Sequence, residues 1–160
     1  MAFTVDLTEN EGVALPWDGL NKHFVIKKTV DFGVAANNLA HDCHMALMPI
    51  PGGVLVEEVI LLITENADSD CDALDVGSFE EDGTAIVADG FIDGATIYTT
   101  TGTVAAPVYV RDVAGETYSI TNGTVGFVRA TDWVLGCEND DDHTIDNGII
   151  TFIAICKDLR

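Results

Sequence analysis

The segment VLVEEVILLIT, residues 54–64, is rich in Val and Ile and predicts a long β-strand. β-Branched residues fit a pleated, half-buried backbone, which is why such a run favours a strand over a helix. IITFIAIC at 149–156 has the same character, with Cys156 among its apolar positions. APVYVRDV at 106–113 and TVGFVRA at 124–130 predict two further strands. The dominant period of the sequence is therefore two, which indicates an all-β fold.

Turn signals separate these strands. Asn122-Gly123 predicts a hairpin loop between Thr117 and Val128, because both turn residues accept positive φ at little cost. Further turns are predicted at Asn147-Gly148, at PIPGG (49–53), at Asp89-Gly90 and at Asp93-Gly94. Residues 34–41 predict a short helical turn, and no segment shows sustained helical periodicity. Short strands with regular turns are typical of a β-sandwich or jelly-roll-like fold.

Composition sets the domain organisation. With 160 residues and 48% hydrophobic content, the chain can bury the core of a single domain. The first residues combine Glu, Asn, Gly and Pro around an isolated Trp17, which is typical of an extended arm. We therefore predict an N-terminal arm and docking segment over residues 1–28 and a β-sandwich domain over residues 29–160.

The charge balance excludes several partners. The net charge is −20, from 27 acidic and 7 basic residues, so a phosphate backbone or an anionic membrane would be repelled. We expect no nucleic-acid partner and no membrane partner. Neither a signal peptide nor an apolar run of the roughly 20 residues needed to span a bilayer is visible. We accordingly expect the chain to mature in the cytoplasm of the cell that makes it.

The stretch ENADSDCDALDVGSFEEDG at 65–83 holds eight carboxylates and no Lys or Arg. Asp68, Asp70 and Asp72 alternate as calcium-loop ligands do. An EF-hand loop needs Gly at its sixth position and Glu at its twelfth, but Ala73 and Phe79 stand there. The stretch predicts a solvated acidic loop, and the sequence leaves open whether its three alternating aspartates bind calcium.

The residues that usually carry chemistry form no active site. Cys43, Cys71, Cys137 and Cys156 make no CxxC pair and are predicted to be reduced thiols. His41, Cys43 and His44 lie within the run HDCH, but a strand would point the two histidines to opposite faces. His143 follows three aspartates and is predicted to be a titratable loop residue. Ser69, Ser78 and Ser119 lie in no GxSxG turn, and no glycine-rich phosphate loop is present. We predict no catalytic, cofactor-binding or metal-binding residues and no enzymatic activity.

The basic residues concentrate just after the arm. Lys22, His23, Lys27 and Lys28 fall within NKHFVIKKTV, and with Trp17 they are the predicted partner-binding residues. On so acidic a chain, this is a place where an acidic partner can be met without repulsion. An edge strand protected by lysines against unwanted pairing explains the cluster equally well. Both interpretations stay open at this point.

A family resemblance covers roughly residues 30–156. Three stretches resemble small tailed-phage virion structural proteins, which are usually described as head decoration or cement proteins or as minor virion proteins of unassigned role. They are FGVAANNLAHDCHMALMPIPGGVLVEEVILLITENADSD (32–70), LDVGSFEEDGTAIVADGFIDG (74–94) and GIITFIAIC (148–156). The shared layout is an apolar strand ending in an I-P-x-G turn, a Val-rich strand, an acidic stretch with repeated glycines and a closing strand.

The resemblance implies a non-enzymatic structural protein, assembled in the host cytoplasm and placed on the capsid exterior. Its implied partner is the major capsid protein, which it would stabilise by bridging capsid subunits as a homo-oligomer, either a dimer or a trimer. Two other functions stay open. One is a receptor-binding or carbohydrate-binding module of a tail or fibre, which would use aromatics among Trp17, Trp133, Tyr98, Tyr109 and Tyr118. The other is a metal-dependent hydrolase that uses the acidic loops and His143.

Overall fold

The computed structural model describes residues 5–6, 23–67, 73–97, 108–110 and 126–160, of which 5–6 and 108–110 are described as strand segments only. Nine strands are found in these ranges. They are β1 (Val5–Asp6), β2 (His23–Asp31), β3 (Cys43–Ile50), β4 (Val54–Glu65), β5 (Leu74–Phe79), β6 (Ala85–Ala95), β7 (Val108–Val110), β8 (Trp133–Asn139) and β9 (Ile149–Asp158).

The strands form two sheets that pack as a β-sandwich. The five-stranded sheet has the order β1-β3-β8-β5-β6, and the four-stranded sheet has the order β2-β9-β4-β7. β1 pairs with β3 in parallel, and every other pair of described neighbours is antiparallel. The predicted all-β sandwich is confirmed. Among the described residues, no helix has the length and apolar character needed to cross a membrane.

The four-stranded sheet is organised around β9, which lies between β2 and β4. β2 pairs with β9 along its whole length, from His23 opposite Lys157 to Asp31 opposite Ile149. Burial alternates along β9, so that Phe152, Ala154 and Cys156 point into the core while their neighbours point outward. Burial raises the pKa of the Cys156 thiol to about 12, and the charge of Glu57 adds to this effect.

The five-stranded sheet is buried on both faces over much of its area. β3 is buried at almost every position, so its side chains pack inward and outward alike. A second hydrophobic cluster, separate from the main core, joins Ala46, Phe79 and Val134. Gly77 fits under β6, because a Cβ there would fall on the carbonyl oxygens of Val87 and Ala88. The far face of this sheet is therefore covered by the chain itself.

Several predicted elements are confirmed. β4 and β9 match the two strands predicted from VLVEEVILLIT and IITFIAIC. β7 falls within the strand predicted at 106–113, of which the other residues lie outside the described ranges. The PIPGG turn joins β3 to β4, with Gly53 at φ +82°. The helical turn predicted at 34–41 is a single 3-10 turn over Ala35–Asn37.

Other predictions need correction. The strand predicted at 124–130 is wrong in its described part, where Phe127 makes one isolated bridge to Val56. Gly126 has φ +71° and lies against the Val56 carbonyl, which interrupts an extended strand. The turns predicted at Asp89-Gly90 and Asp93-Gly94 lie inside β6, where the register slips against β5. The hairpin loop predicted at Asn122-Gly123 lies outside the described residues.

The boundary predicted after residue 28, between the N-terminal arm and the β-sandwich domain, falls within β2. This strand pairs with β9 from His23 onward, so residues 23–28 are part of the four-stranded sheet. Within the arm, the described pair Val5 and Asp6 adds a short parallel strand to the five-stranded sheet, opposite Met45 and Ala46.

Candidate docking face

The outward side of the four-stranded sheet is built by three adjacent strands, β2, β9 and β4. Alternation along each strand decides which side chains point outward, and the register places those side chains in rows across the sheet. The rows are His23–Lys157–Leu55, Val25–Ile155–Glu58, Lys27–Ile153–Ile60 and Thr29–Thr151–Leu62. We call this surface the outer face.

The centre of the outer face is apolar. Ile153 and Ile155 lie on β9, with Val25 beside them on β2 and Ile60 and Leu62 on β4. Val25 is 52% exposed, and the other four are half-buried although they point away from the core. A sheet face in contact with water usually alternates apolar-in with polar-out. The centre of the outer face is therefore an apolar patch on an otherwise acidic chain.

Charges of opposite sign flank the apolar centre. Lys27 and Lys157 lie on β2 and β9, whereas Glu57 and Glu58 lie on β4. Glu57 lies beside His23 across β9, with Nε2 of the imidazole and Oε2 of the carboxylate 3.2 Å apart. Glu57 lies at the bulge between the first two rows, so Lys27 and Lys157 are balanced here by Glu57 and Glu58. This part of the surface is close to neutral on a chain with a net charge of −20.

The distribution of bases sets the outer face apart from the rest of the described surface. Of the seven bases in the sequence, five lie in the described ranges. Arg129 is paired with Glu80 and Arg160 with Asp158, at 2.7 and 2.8 Å. Lys28 is buried at 6% exposure. Lys27 and Lys157, which point outward on the outer face, complete the five.

The structure separates the predicted partner-binding residues. His23 and Lys27 point outward on β2, while Lys28, the next residue after Lys27, points into the sandwich. Trp17 and Lys22 lie outside the described residues. The other interpretation of these lysines was that they protect an edge strand against unwanted pairing. β2 does lie at the edge of the four-stranded sheet, with β9 as its described neighbour.

A polar row crosses the opposite face of the sandwich. His44 on β3, Glu138 on β8 and Asp75 on β5 are neighbours in the register of the five-stranded sheet. His44 Nε2 lies 3.1 Å from Glu138 Oε1, and its Nδ1 lies 3.3 Å from the Gly83 carbonyl oxygen. The imidazole is buried against Phe79, with ring centroids 5.1 Å apart. His44 thus ties the turn after β5 to the sheet.

Burial changes the pKa of the Asp75 carboxyl. Burial raises its pKa to about 6, and the charges of Asp93, Asp140 and Asp89 raise it further, while the hydrogen bond from the Gly94 backbone N–H opposes them. That N–H donates to Asp75 Oδ1 at 2.7 Å. A carboxylic acid with such a pKa is able to transfer protons near neutral pH.

The remaining histidines hold two loops together. Asn139 is fully buried and donates hydrogen bonds to the carbonyl oxygens of Leu39 and His143, at 2.9 and 2.7 Å. His143 Nδ1 lies 2.8 Å from Asp141 Oδ1, and His41 Nδ1 lies 2.8 Å from the Asp141 carbonyl oxygen. Over the described ranges, no group of three or more His, Cys, Asp or Glu side chains is arranged to hold a metal ion. Asp68, Asp70 and Asp72 lie outside those ranges.

The aromatic side chains offer no described platform for a sugar. Trp133 is 1% exposed and meets Phe127 edge-on, with ring centroids 4.9 Å apart. Trp17, Tyr98 and Tyr118 lie outside the described residues, as does the side chain of Tyr109. The three described cysteines, Cys43, Cys137 and Cys156, are free thiols, as predicted.

The outer face was missed in the sequence, although a signal for it was present. In IITFIAIC every position but one is apolar, so both faces of β9 carry apolar side chains. A strand of this kind indicates burial on two sides. One side of β9 faces the core, and the other is the apolar centre of the outer face.

The fold is shared with two chains from phage capsid structures. No family model and no curated protein sequence matches the chain. A chain in the capsid structure of Ralstonia phage GP4 aligns over 97% of this chain and 94% of its own length, with a TM-score of 0.62 and 16% identity. A chain in the capsid asymmetric unit of cyanophage Pam1 aligns over 96% of both, with a TM-score of 0.51 and 14% identity. At such identities the likeness establishes a common fold.

Proposed function

We propose that this chain is a structural protein of a tailed-phage virion. More specifically, we propose a decoration protein that binds the outer surface of the capsid and stabilises it by bridging neighbouring subunits of the major capsid protein. The observation that carries the proposal is the extent of the structural likeness. It covers 97% of this chain and 94% of the chain from the GP4 capsid, so a whole protein is matched and not only a common sandwich core.

The distribution of features over the molecule supports a structural role. The polar groups of the five-stranded sheet and its loops bond to one another, as the pairs His44–Glu138 and His143–Asp141 illustrate. The apolar side chains left half-buried lie on the outer face, where a macromolecular partner can reach them. A decoration protein needs only modest affinity per copy, because many copies engage one particle.

The capsid contact is assigned to the end of the arm. Of the five predicted partner-binding residues, Lys28 is enclosed in the folded chain, and Lys27 belongs to the outer face. Trp17, Lys22 and His23 therefore form the proposed docking element. An aromatic anchor beside basic groups suits an acidic protein surface.

Co-sedimentation with capsids that lack decoration proteins tests this proposal. The intact chain is expected to bind saturably, and a truncation that lacks residues 1–22, and with them the two-residue strand β1, is expected not to bind. A longer truncation, to residue 28, would remove His23–Lys28 from the nine residues of β2 and damage the sheet. In the full chain, Trp17→Ala should weaken binding by about tenfold, which corresponds to the loss of ~1.4 kcal/mol at an anchor.

Leu159→Ala is the matched control, because it removes an exposed apolar side chain outside the docking element. It should bind capsids like the intact chain. Circular dichroism confirms that each variant is folded before binding is compared. If the folded intact chain fails to sediment with capsids, the decoration role is contradicted. Binding to a broad glycan array would then favour the carbohydrate-binding module of a tail or fibre.

A further inference from the structure

We infer that His44 makes a pH-sensitive contact, which holds the turn between β5 and β6 on the five-stranded sheet while the imidazole is protonated and releases that turn when the proton is lost. Residues 80–84, which form this turn, are called the hairpin tip. The inference concerns the fold of the chain and does not rest on the proposed capsid role. Its basis is the position of the His44 ring between a carboxylate of the sheet and a carbonyl oxygen of the tip.

The hairpin tip lies across the face of the sheet that is turned away from the core. In the sheet order, β8 separates β5 from β3. The Gly83 carbonyl oxygen nevertheless lies 3.3 Å from His44 Nδ1 on β3, so the tip crosses over β8. Phe79 at the end of β5 also lies over β8, because a Cβ on Gly136 would come within 2.8 Å of its ring. Gly83 is accordingly buried, although the two residues before it are exposed.

Hydrogen bonds within the tip satisfy its own N–H groups. The Glu80 N–H donates to the Thr84 carbonyl oxygen at 2.8 Å, and the Gly83 N–H donates to the Glu80 carbonyl oxygen at 3.0 Å. The Thr84 N–H donates to Asp82 Oδ1 at 2.9 Å. The buried carbonyl oxygen of Gly83 is left for a donor from outside the tip, and the His44 ring lies at that position.

Two polar side chains from other elements contact the tip. Arg129 Nη1 lies 2.7 Å from Glu80 Oε2, and His44 contacts Gly83. A guanidinium stays charged throughout the pH range in which proteins are folded, whereas histidine changes charge between about pH 5 and 8. Of these two contacts, the one made by His44 therefore responds to pH near neutrality.

The surroundings of the His44 ring call for two donors. Nε2 lies 3.1 Å from Glu138 Oε1, and Nδ1 faces the Gly83 carbonyl oxygen. Both of these oxygens are acceptors, and a neutral imidazole has one N–H, so it would leave one of them facing a lone pair. The imidazolium has an N–H on each nitrogen and donates to both oxygens. Because His44 is buried, an unmade hydrogen bond is costly there, and protonation and the closed tip therefore favour each other.

Carboxylates predominate on the elements around His44. The described titratable and charged groups there are Glu138 on β8, Asp75 on β5, Asp89 and Asp93 on β6, Glu80, Glu81 and Asp82 in the tip, Asp6 on β1 by register, His41 and Asp42 before β3, and Arg129 beside Glu80. Burial raises the pKa of Asp75 to about 6, so this carboxyl also loses its proton near neutral pH. Rising pH thus removes the cation at His44 and adds an anion two strands away, and both changes repel the acidic tip.

Nitrogen-15 NMR of the histidine rings tests the protonation state in the intact chain. In the folded chain, His44 is expected to carry protons on both ring nitrogens at about pH 5 and on one at about pH 8. The signal that is missing from His44→Gln assigns the ring. A His44 ring that is neutral in the folded chain at about pH 5 overturns the inference.

Amide hydrogen exchange, corrected for the intrinsic effect of pH on exchange, measures the release of the tip. Protection of the Gly83 and Thr84 N–H groups should fall by about tenfold between about pH 5 and 8, since one charge-assisted hydrogen bond is lost and the freed turn opens readily. In His44→Gln the same groups should be weakly protected at both pH values, because glutamine does not titrate. His23→Gln is the matched control and should keep the pH dependence, since His23 also lies beside a carboxylate but on the other sheet, with its side chain 60% exposed.

Glu80→Gln separates the pH response from simple attachment of the tip. It weakens the contact with Arg129, so protection of the tip should fall by the same factor at both pH values. A thermal melt shows whether each variant is folded, and if His44→Gln does not fold, the ring titration of the intact chain still decides. Tip protection that is independent of pH in the intact chain, or that changes equally in folded His44→Gln, overturns the inference. Neither measurement involves capsids, so its outcome is separate from that of the proposed function.

Discussion

The outer surfaces of the two sheets differ in what covers their apolar side chains. On the five-stranded sheet, Phe79, Ala46 and Val134 form a buried cluster of their own, with Ala88 of β6 packed against it. On the four-stranded sheet, Val25 is more than half exposed, and the isoleucines beside it are only half-buried. The apolar side chains of the first surface are buried within the chain, and those of the second stay partly exposed. Substitutions on the first should therefore destabilise the fold more than substitutions on the second.

The largest effect on folding is expected at Phe79. Phe79→Ala should lower the free energy of unfolding by about 4 kcal/mol, because a fully buried aromatic ring is removed and a cavity is left. Val25→Ala, the corresponding truncation on the outer face, should change it by less than about 0.5 kcal/mol at a concentration where the chain is monomeric. Urea denaturation followed by tryptophan fluorescence measures both. Equal losses would remove the distinction between the two surfaces.

The next effect is expected at Gly77. Gly77→Ala should lower the free energy of unfolding by roughly 3 kcal/mol, because the new methyl group meets the backbone carbonyls of β6, which cannot rotate away. Gly33→Ala is the control, since its Cβ would meet only side-chain oxygens, the nearer at 3.1 Å on Asp31. Chemical denaturation compares the two glycine variants. A Gly77→Ala protein as stable as the control would show that the backbone of β6 does not lie in close contact with Gly77.

The smallest of these effects depends on pH and is expected at Asp75. Its pKa is about 6 in the folded chain against 3.8 for the free group, so the folded chain binds this proton more tightly. The carboxyl therefore makes the free energy of unfolding fall as pH rises from about 4 to about 6. Asp75→Asn removes this dependence and keeps an oxygen that can accept the Gly94 N–H.

At pH 7, Asp75→Asn should be more stable than the intact chain by about 1 kcal/mol, and below pH 4 the two should be equal. The value is smaller than the pKa shift alone implies, because water screens a partly exposed carboxylate. Thermal melts between pH 3.5 and 8 measure the difference. Asp142→Asn is the control, as that side chain is 94% exposed. A destabilised Asp75→Asn protein at pH 7 would contradict the assigned role of burial.

The sequence predicted those strands whose two faces differ or whose ends carry a clear turn. β4 and β9 were found from their Val and Ile content, and the turn at Gly53 was found from PIPGG. β3 and β8 escaped the residue-by-residue reading because they are buried on both faces, so HMALMPI and WVLGCEN show no alternation. β6 was not predicted as a strand because its two Asp-Gly pairs are typical of turns. In the structure they lie inside the strand, where its register against β5 shifts.

The residues of the outer face were predictable only in part. The lysine-rich segment after the arm was identified as a contact region, and His23 and Lys27 do point outward. Alternation along a strand would have placed Lys27 and Lys28 on opposite sides, but strand β2 was not assigned from the sequence. The apolar centre required knowledge of strand order, because Val25 and Ile155 are far apart in the sequence and meet only through the β2–β9 pairing.

The position of β9 in its sheet has a consequence for synthesis of the protein. The four-stranded sheet has β9 between β2 and β4, although β9 is the last of the described strands to leave the ribosome. Until residues 149–158 have emerged, β2 and β4 lack the neighbour that accepts their hydrogen bonds, and their apolar side chains are exposed. The sheet can therefore form only after β9 has become available, and its pairings are long-range, which slows folding. During that interval the nascent chain depends on its acidic residues for solubility, because their mutual repulsion keeps neighbouring chains apart.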